Sequence, residues 1–308
     1  MRQRGYTLWP LCRSKETQTM VGMLIYGLIN SAVFTLITLG FSLTFGISGV
    51  ANFAHGAFYI TGAYLTWHFV NSLGLPYVIA IGLSVFVTGL AGAALYWLVL
   101  HRVRGLILSE VIATFGVGMG LLEFYRSIGL TGHSYKLPTF VDGSLEVFGV
   151  YVDYQRLIII AVGAALVLFL WFFTHHTRLG LTFRGIAQEE DTALAFGIQS
   201  DRTAMLSLAM GSAFAALAAI TVMPLSLLQV EEGSHILILA LAVGIVGGME
   251  SVFGIIVASL IFGFSQIIVA TYFSPHYSMI VLLAAIILVL VIKPSGLFGK
   301  FKELEERV

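Results

Sequence analysis

Nine stretches of the chain, at about 20–45, 57–73, 77–100, 106–130, 157–176, 203–223, 236–249, 252–273 and 277–292, are dominated by apolar residues. An α-helix rises about 1.5 Å per residue, so about 20 apolar residues cross a hydrocarbon core of about 30 Å. Such a core offers no water to backbone N–H and C=O groups, and a helix satisfies them within its own segment. The chain therefore reads as an all-helical, polytopic membrane protein. Two stretches are irregular: 236–249 is short and glycine-rich, and 57–73 follows directly on the glycine-broken segment Gly46 to Gly56. Each is expected to be a partial or re-entrant helix, which gives about eight transmembrane helices in all.

Composition supports this. Hydrophobic residues make up 58% of the 308 and charged residues 10%, whereas soluble domains carry about a quarter charged residues. Sixteen basic and sixteen acidic residues cancel, so there is no electrostatic footprint for nucleic acid. A single cysteine, Cys12, builds neither a disulfide framework nor a cysteine-rich metal site. Residues 1–19, with Arg2, Arg4, Arg13 and Lys15, read as a polar extension, 20–299 as the transmembrane domain and 300–308 as a tail. The run from Met20 to Phe45 exceeds the apolar stretch of a signal peptide and reads as a retained helix.

Basic residues in short loops favour the cytoplasm. Arg102 and Arg104, the segment 177–202, and Lys293 with Lys300 and Lys302 are placed so that all three fall on one side. The loop 131–156 and the region of Glu231, Glu232 and His235 then face outside. Three stretches precede Arg102 and would put the basic N-terminus outside too, against the same rule.

Two segments carry chemistry. In Gly46 to Gly56, Asn52 suits a helix N-cap, with a new helix expected to start at Phe53 and present free amides to a polar partner. Asn52, His55 and Gly56 are thus candidates for a substrate pathway; a tight turn with Asn52 as cap and His55 as packing residue is the plainer reading. In 177–202, Ile186, Ala193, Leu194, Ala195, Phe196 and Ile198 give a short helix an apolar face, and Gln188, Glu189, Glu190 and Asp191 lie near its start. Gly197 is placed to end it in a left-handed cap. An amphipathic cytoplasmic helix with an acidic start calls for a soluble protein partner. Glu110, Glu123 and Arg126 fall in or near the fourth helix, and intramembrane charge marks function by default. Glu123 and Arg126, three apart, can pair on one face at the outer end. Gly82, Gly89, Gly92, Gly116, Gly118 and Gly120 allow close helix packing.

As an enzyme the chain lacks any His-Glu-x-x-His, Gly-x-Ser-x-Gly or Walker sequence. A secondary transporter would place ion-coupling charges at the membrane midplane, where few candidates stand. Both remain as alternative readings.

The stretch Phe183 to Ile198 resembles the coupling segment of ABC importer permeases, with Asp191-Thr192-Ala193 in the place of Glu-Ala-Ala and Gly197 as its glycine. Ala51 to Tyr59, followed by Gly62-Ala63-Tyr64, resembles the N-terminal hallmark of LivH-type permeases of branched-chain amino acid importers. Val246-Gly247-Gly248-Met249-Glu250-Ser251-Val252-Phe253-Gly254 is similar to that family's glycine hairpin, with Glu250 at its third glycine, and Pro294 to Gly299 to its ending. The resemblance spans Met20 to Gly299. It implies a permease in a bacterial inner membrane, importing branched-chain amino acids or a related small amino acid, amide or carboxylate. It further implies a second homologous permease, a periplasmic binding protein, and cytoplasmic ATP-binding subunits that dock at Arg184, Glu189, Glu190, Asp191, Ala193 and Gly197. Gly247, Gly248 and Gly254 are implied as a structural hairpin, and ATP as used by the partners, with no cofactor on this chain.

Overall fold

The computed structural model describes residues 9–130, 135–274 and 277–299, with side chains omitted for 9–19 and 278. Each of the nine apolar stretches is a helix. α1 (Trp9–Ser48) is followed by α2 (His55–Asn71), and α3 (Tyr77–Leu95) runs through a π turn at Tyr96–Leu100 into the short α4 (His101–Val103). α5 (Ile107–Ser127) leads to a hairpin of β1 (Ser144–Val147) and β2 (Val150–Asp153), then α6 (Tyr154–His176). Two short helices, α7 (Arg178–Gln188) and α8 (Glu190–Ala195), precede α9 (Ser200–Val222), α10 (Glu231–Gly247), α11 (Val252–Tyr272) and α12 (Ser278–Ile292).

Among the described residues six spans are long and apolar enough to cross a bilayer: Met20–Ser48, Tyr77–Val103, Ile107–Ser127, Tyr154–His176, Ser200–Leu225 and Val252–Tyr272. α2 and α10 have 17 residues each and α12 has 15, or about 23 to 26 Å. Two of these three short helices are the ones expected to be partial. α1 begins at Trp9, so the helix reaches back into the segment read as a polar extension; residues 1–8 and 300–308 lie outside the described residues.

All three basic regions meet at one end of the bundle. Arg104 bonds Glu190 of α8, and Leu297 and Phe298 donate to the Val246 and Gly247 carbonyls at the α10–α11 turn. The Ser42 hydroxyl of α1 donates to the Met249 carbonyl of that same turn at 2.6 Å. We call this end inner. At the opposite end the Tyr26 hydroxyl donates to the Tyr151 carbonyl at 2.8 Å.

Lipid tails are as apolar as leucine, so helices associate through tight packing of small residues. α9 is the centre of that packing. A Cβ on Gly211 would overlap the Gly40 carbonyl of α1, one on Gly62 of α2 the backbone of Ala216, and one on Gly92 of α3 the Ser212 side chain. Gly118 approaches the Phe53 carbonyl and Ala54 in the same way. Gly82, Gly116 and Gly120 instead face open space. Gly118 turns inward while Gly116 and Gly120, two positions to either side, point off that face, because successive helical residues are rotated by about 100°.

Overpacking a close contact costs about 1–3 kcal/mol. Gly211→Leu is expected to lower the melting temperature of the detergent-purified chain, whereas Gly116→Leu leaves it nearly unchanged. Equal melting curves would remove α9 from the centre of the packing.

Candidate functional site

α1 ends at Ser48, and Gly49, at φ 68°, turns the chain back into the bundle. The returning segment is anchored by its own polar groups. Phe53 N–H donates to Thr114 Oγ1 of α5 at 3.2 Å, and Ala54 N–H to Asn52 Oδ1 at 3.0 Å. His55 N–H donates to the Asn52 carbonyl at 3.2 Å. α2 then starts at His55 with Ala54 as its N-cap. Asn52 is thus not the helix cap expected from sequence: it closes a turn just before the helix. The amides of Phe53, Ala54 and His55, expected to be free, are each taken within the protein: Thr114 takes the first, and Asn52, which competes locally for the backbone, the other two.

His55 is 1% exposed. Its Nε2–H donates to the Ile37 carbonyl at 2.9 Å, and Phe41 meets the ring edge-on at 5.7 Å between centroids. Ile37 lies about 16 Å from the inner end of α1 at 1.5 Å per residue, so α2 begins deep within the bundle. Gly56 is packed as closely, since a Cβ there would overlap the Gly233 carbonyl of α10.

A cavity of about 970 Å³ opens at the inner end, walled by the ends of α1, α3, α5 and α9 and by the re-entrant segment. Of the three pathway candidates, Asn52 lines it, and His55 and Gly56 pack behind. Asn52 is 3% exposed, and its Nδ2 has no hydrogen-bond partner among the described residues. A buried donor left unsatisfied costs about 1–3 kcal/mol.

The cavity mouth holds a charge network that sequence reasoning missed. Arg104 donates to Asp201 and Ser200 at the start of α9, to Glu190 of α8 at 2.6 Å and to the Tyr96 hydroxyl at 3.1 Å. Tyr96 in turn donates to Asp201 Oδ1 at 2.7 Å. Burial works against the Arg104 charge, but Asp201 and Glu190 outweigh it and hold its pKa above the ordinary arginine value. Exposed ion pairs contribute at most about 1 kcal/mol each, so the network matters for position. One cation ties the segment α7–α8 to α3 and α9. Arg104 counted in the sequence only as a topological charge, since nothing there shows which acids fold beside it. Glu110, flagged as an intramembrane charge, lines the same cavity and accepts from Gly105 N–H at 2.8 Å.

The segment 177–202 is two helices rather than one. Thr177 caps α7 through Gly180 N–H, and the extended Glu189 (φ −158°, ψ 110°) separates α7 from α8. Gly197, at φ 81°, ends α8 as expected, with Ile198 N–H on the Ala193 carbonyl at 3.1 Å. Ala193 is buried against Phe183 and Ile186, whereas Arg184, Glu189 and Asp191 are exposed and Phe196 is 83% exposed. At the α10–α11 turn, Gly247 and Gly254 sit backbone to backbone and Gly248, at φ 97°, contacts Gly299. Ser251 caps α11 through Gly254 N–H at 3.0 Å. Glu250 is not among the positive-φ residues, so its position does not require glycine. At the outer end Arg126 pairs with Glu123 and reaches Glu231 at 3.1 Å, joining α5 to α10 among exposed side chains.

A sequence model of the family described as branched-chain amino acid transport system / permease component matches residues 23–290. The chain belongs to this family. It is 27% identical over 292 residues to the high-affinity branched-chain amino acid transport system permease protein BraD of Pseudomonas aeruginosa, covering 90% of this chain and 95% of that protein. To LivH of Escherichia coli K12 it is 27% identical, covering 89% and 94%. LivM of Salmonella typhimurium, a permease protein of the high-affinity branched-chain system, is 25% identical and 71% covered. Among solved structures, PsaBC from Streptococcus pneumoniae in complex with Fab shares the fold at TM-score 0.55 and 16% identity, covering 92% of this chain and 98% of that one. As a member of this permease family the chain is a transport subunit rather than an enzyme, and it is multi-pass.

His55→Ala removes a buried ring and leaves the Ile37 carbonyl without its donor, a large-to-small change costing about 2–5 kcal/mol. Uptake and melting temperature are expected to fall together. A stable His55→Ala protein that transports poorly would instead make His55 a pathway residue.

Proposed function

We propose that this permease imports branched-chain amino acids, or a related small amino acid, amide or carboxylate, across a bacterial inner membrane. ATP bound by separate cytoplasmic subunits drives it, and a periplasmic binding protein delivers the solute to the outer end. Its second half is a related permease: both LivH and LivM of Salmonella typhimurium, permease proteins of its high-affinity branched-chain system, are similar to this chain.

The observation that carries the reading is the α7–α8 segment. It presents Phe196 and Leu194 outward at the inner end while Ala193, Phe183 and Ile186 fasten it to the bundle. An exposed aromatic beside acidic residues suits a soluble protein groove better than anionic lipid. Through Glu190 and Arg104 any displacement of α8 reaches α9, and α9 packs on α1, α2 and α3. A load applied at the docking segment is thereby delivered to the helices that wall the cavity.

Proline fixes φ near −65° and has no N–H, so Gly197→Pro is incompatible with φ 81° and with the bond from Gly197 N–H to the Leu194 carbonyl. ATP-driven leucine uptake in vesicles carrying the reconstituted importer is expected to disappear, with membrane insertion and expression unchanged. Undiminished uptake by Gly197→Pro would remove the coupling role from this segment.

A further inference from the structure

The hairpin of β1 and β2 closes at the Val147–Val150 pair through a two-residue loop, Phe148-Gly149. Both loop residues have positive φ, 52° and 82°, the pattern of a type I′ turn, which favours Asn-Gly or Asp-Gly. Among the described residues Phe148 is the one non-glycine with positive φ; a bulky side chain there crowds the backbone. The residue is nevertheless 84% exposed, so packing within the chain does not account for it. A strained backbone that presents an aromatic ring to solvent points to a contact outside the chain.

The hairpin is mounted firmly. Leu145, Val147, Val150 and Val152 share one face, and Val152 is fully buried. Tyr26 of α1 donates to the Tyr151 carbonyl, and Tyr154 N–H to the Gly143 carbonyl at 3.1 Å. At its base the buried Gln155 accepts from Phe140 N–H at 3.0 Å and donates to the Thr221 carbonyl of α9 at 2.8 Å. An anchor held in this way loses little freedom on binding. Its height selects the partner. The hairpin runs beside α1 away from the inner end, with Tyr151 met by Tyr26 and Val150 lying where a Cβ on Gly22 would touch it. Gly22 stands about 39 Å along α1 from its inner end at Ser48. A hydrocarbon core of about 30 Å measured from Ser48 ends short of that level, and the tip lies further on. The exposed Asp142 and Glu146 add negative charge, which suits a basic rim on a protein rather than anionic headgroups.

We propose that the hairpin tip is a docking knob for the periplasmic binding protein, with the Phe148 ring seated in an apolar pocket of that protein and Asp142 and Glu146 meeting basic residues at the pocket's rim. This rests on the reading of the chain as an importer permease served by a binding protein, and it names the surface on which that protein lands. Through Gln155 the mount reaches α9, the helix that Arg104 joins to α8 at the inner end. A partner seated on the knob thus bears on the same helix as the docking segment on the other side.

The test titrates the complete importer in nanodiscs with its own binding protein, fluorescently labelled, and records melting curves and ATP-driven uptake on the same preparations. Phe148→Asn places at the tip the residue that the turn favours. It is expected to weaken the binding protein about tenfold or more, as loss of an anchor implies, while the melting temperature stays level or rises. Phe148→Gly relieves the backbone in the same way and decides the matter if Phe148→Asn does not assemble. Phe148→Trp keeps a ring and is expected to keep most of the affinity, and Glu146→Lys to weaken binding and flatten its salt dependence. Unchanged affinity in Phe148→Asn and Phe148→Gly overturns the knob. Affinity and melting temperature that fall together also overturn it, since Phe148 is then a folding residue. Quenching of the added tryptophan of Phe148→Trp by brominated lipid overturns it in favour of the membrane, and loss of permease pairing in these variants in favour of a second permease. A wild-type importer whose uptake does not depend on the binding protein sinks the importer reading itself, whereas dependent uptake that the Phe148 variants leave intact sinks the knob alone.

Discussion

Everything in this bundle hangs on how closely α9 approaches its neighbours. Gly211 against Gly40, Ala216 against Gly62 and Ser212 against Gly92 bring backbones to distances that any larger side chain would forbid. In a bilayer there is no hydrophobic gain from burying one apolar helix against another, so dispersion between tightly fitted surfaces does the associating. Ser207, Ser212 and Thr221 of α9 are buried as well. The helix is consequently the member of the bundle that senses movement on three sides at once.

The re-entrant segment exists because α5 and α1 make room for it. Gly118 lets Phe53 and Ala54 sit against α5, Thr114 accepts a backbone N–H that lipid could not, and the His55 ring reaches across to α1. Irregular backbone at membrane depth survives where protein surrounds it or water reaches it. Both conditions are met here: protein on the His55 side, the inner cavity on the Asn52 side. The division of labour between two polar residues three positions apart follows from that geometry.

Much of this was legible from the sequence. The nine helices follow from apolar length, the break from Gly46 to Gly56 and the stop at Gly197 from glycine placement, and the outer Glu123–Arg126 pair from its spacing. What the sequence hid is whatever depends on contacts between distant segments. Asn52 looked like a helix cap because its type favours caps, and only the fold shows the helix starting three residues later. The extended Glu189 gives no signal in its residue type, so the coupling segment read as one helix. Arg104 and Asp201 lie 97 positions apart and meet only because α3 and α9 pack side by side.

The π turn at Tyr96–Leu100 sets a limit on how this chain can vary. Such a turn holds one residue more than the α-helical path, so everything beyond it is rotated by about 100° from where an unbroken helix would place it. Tyr96 and Arg104 converge on Asp201 across that offset. Trp97, Leu98 and Val99 are thereby constrained in number more than in kind: other apolar residues fit there, but winding the same residues as an unbroken α-helix, or adding one more without widening the turn further, swings Arg104 away from the acids it joins. The span is spelled by its length at this point, and a further insertion, however conservative in composition, is the change it tolerates least.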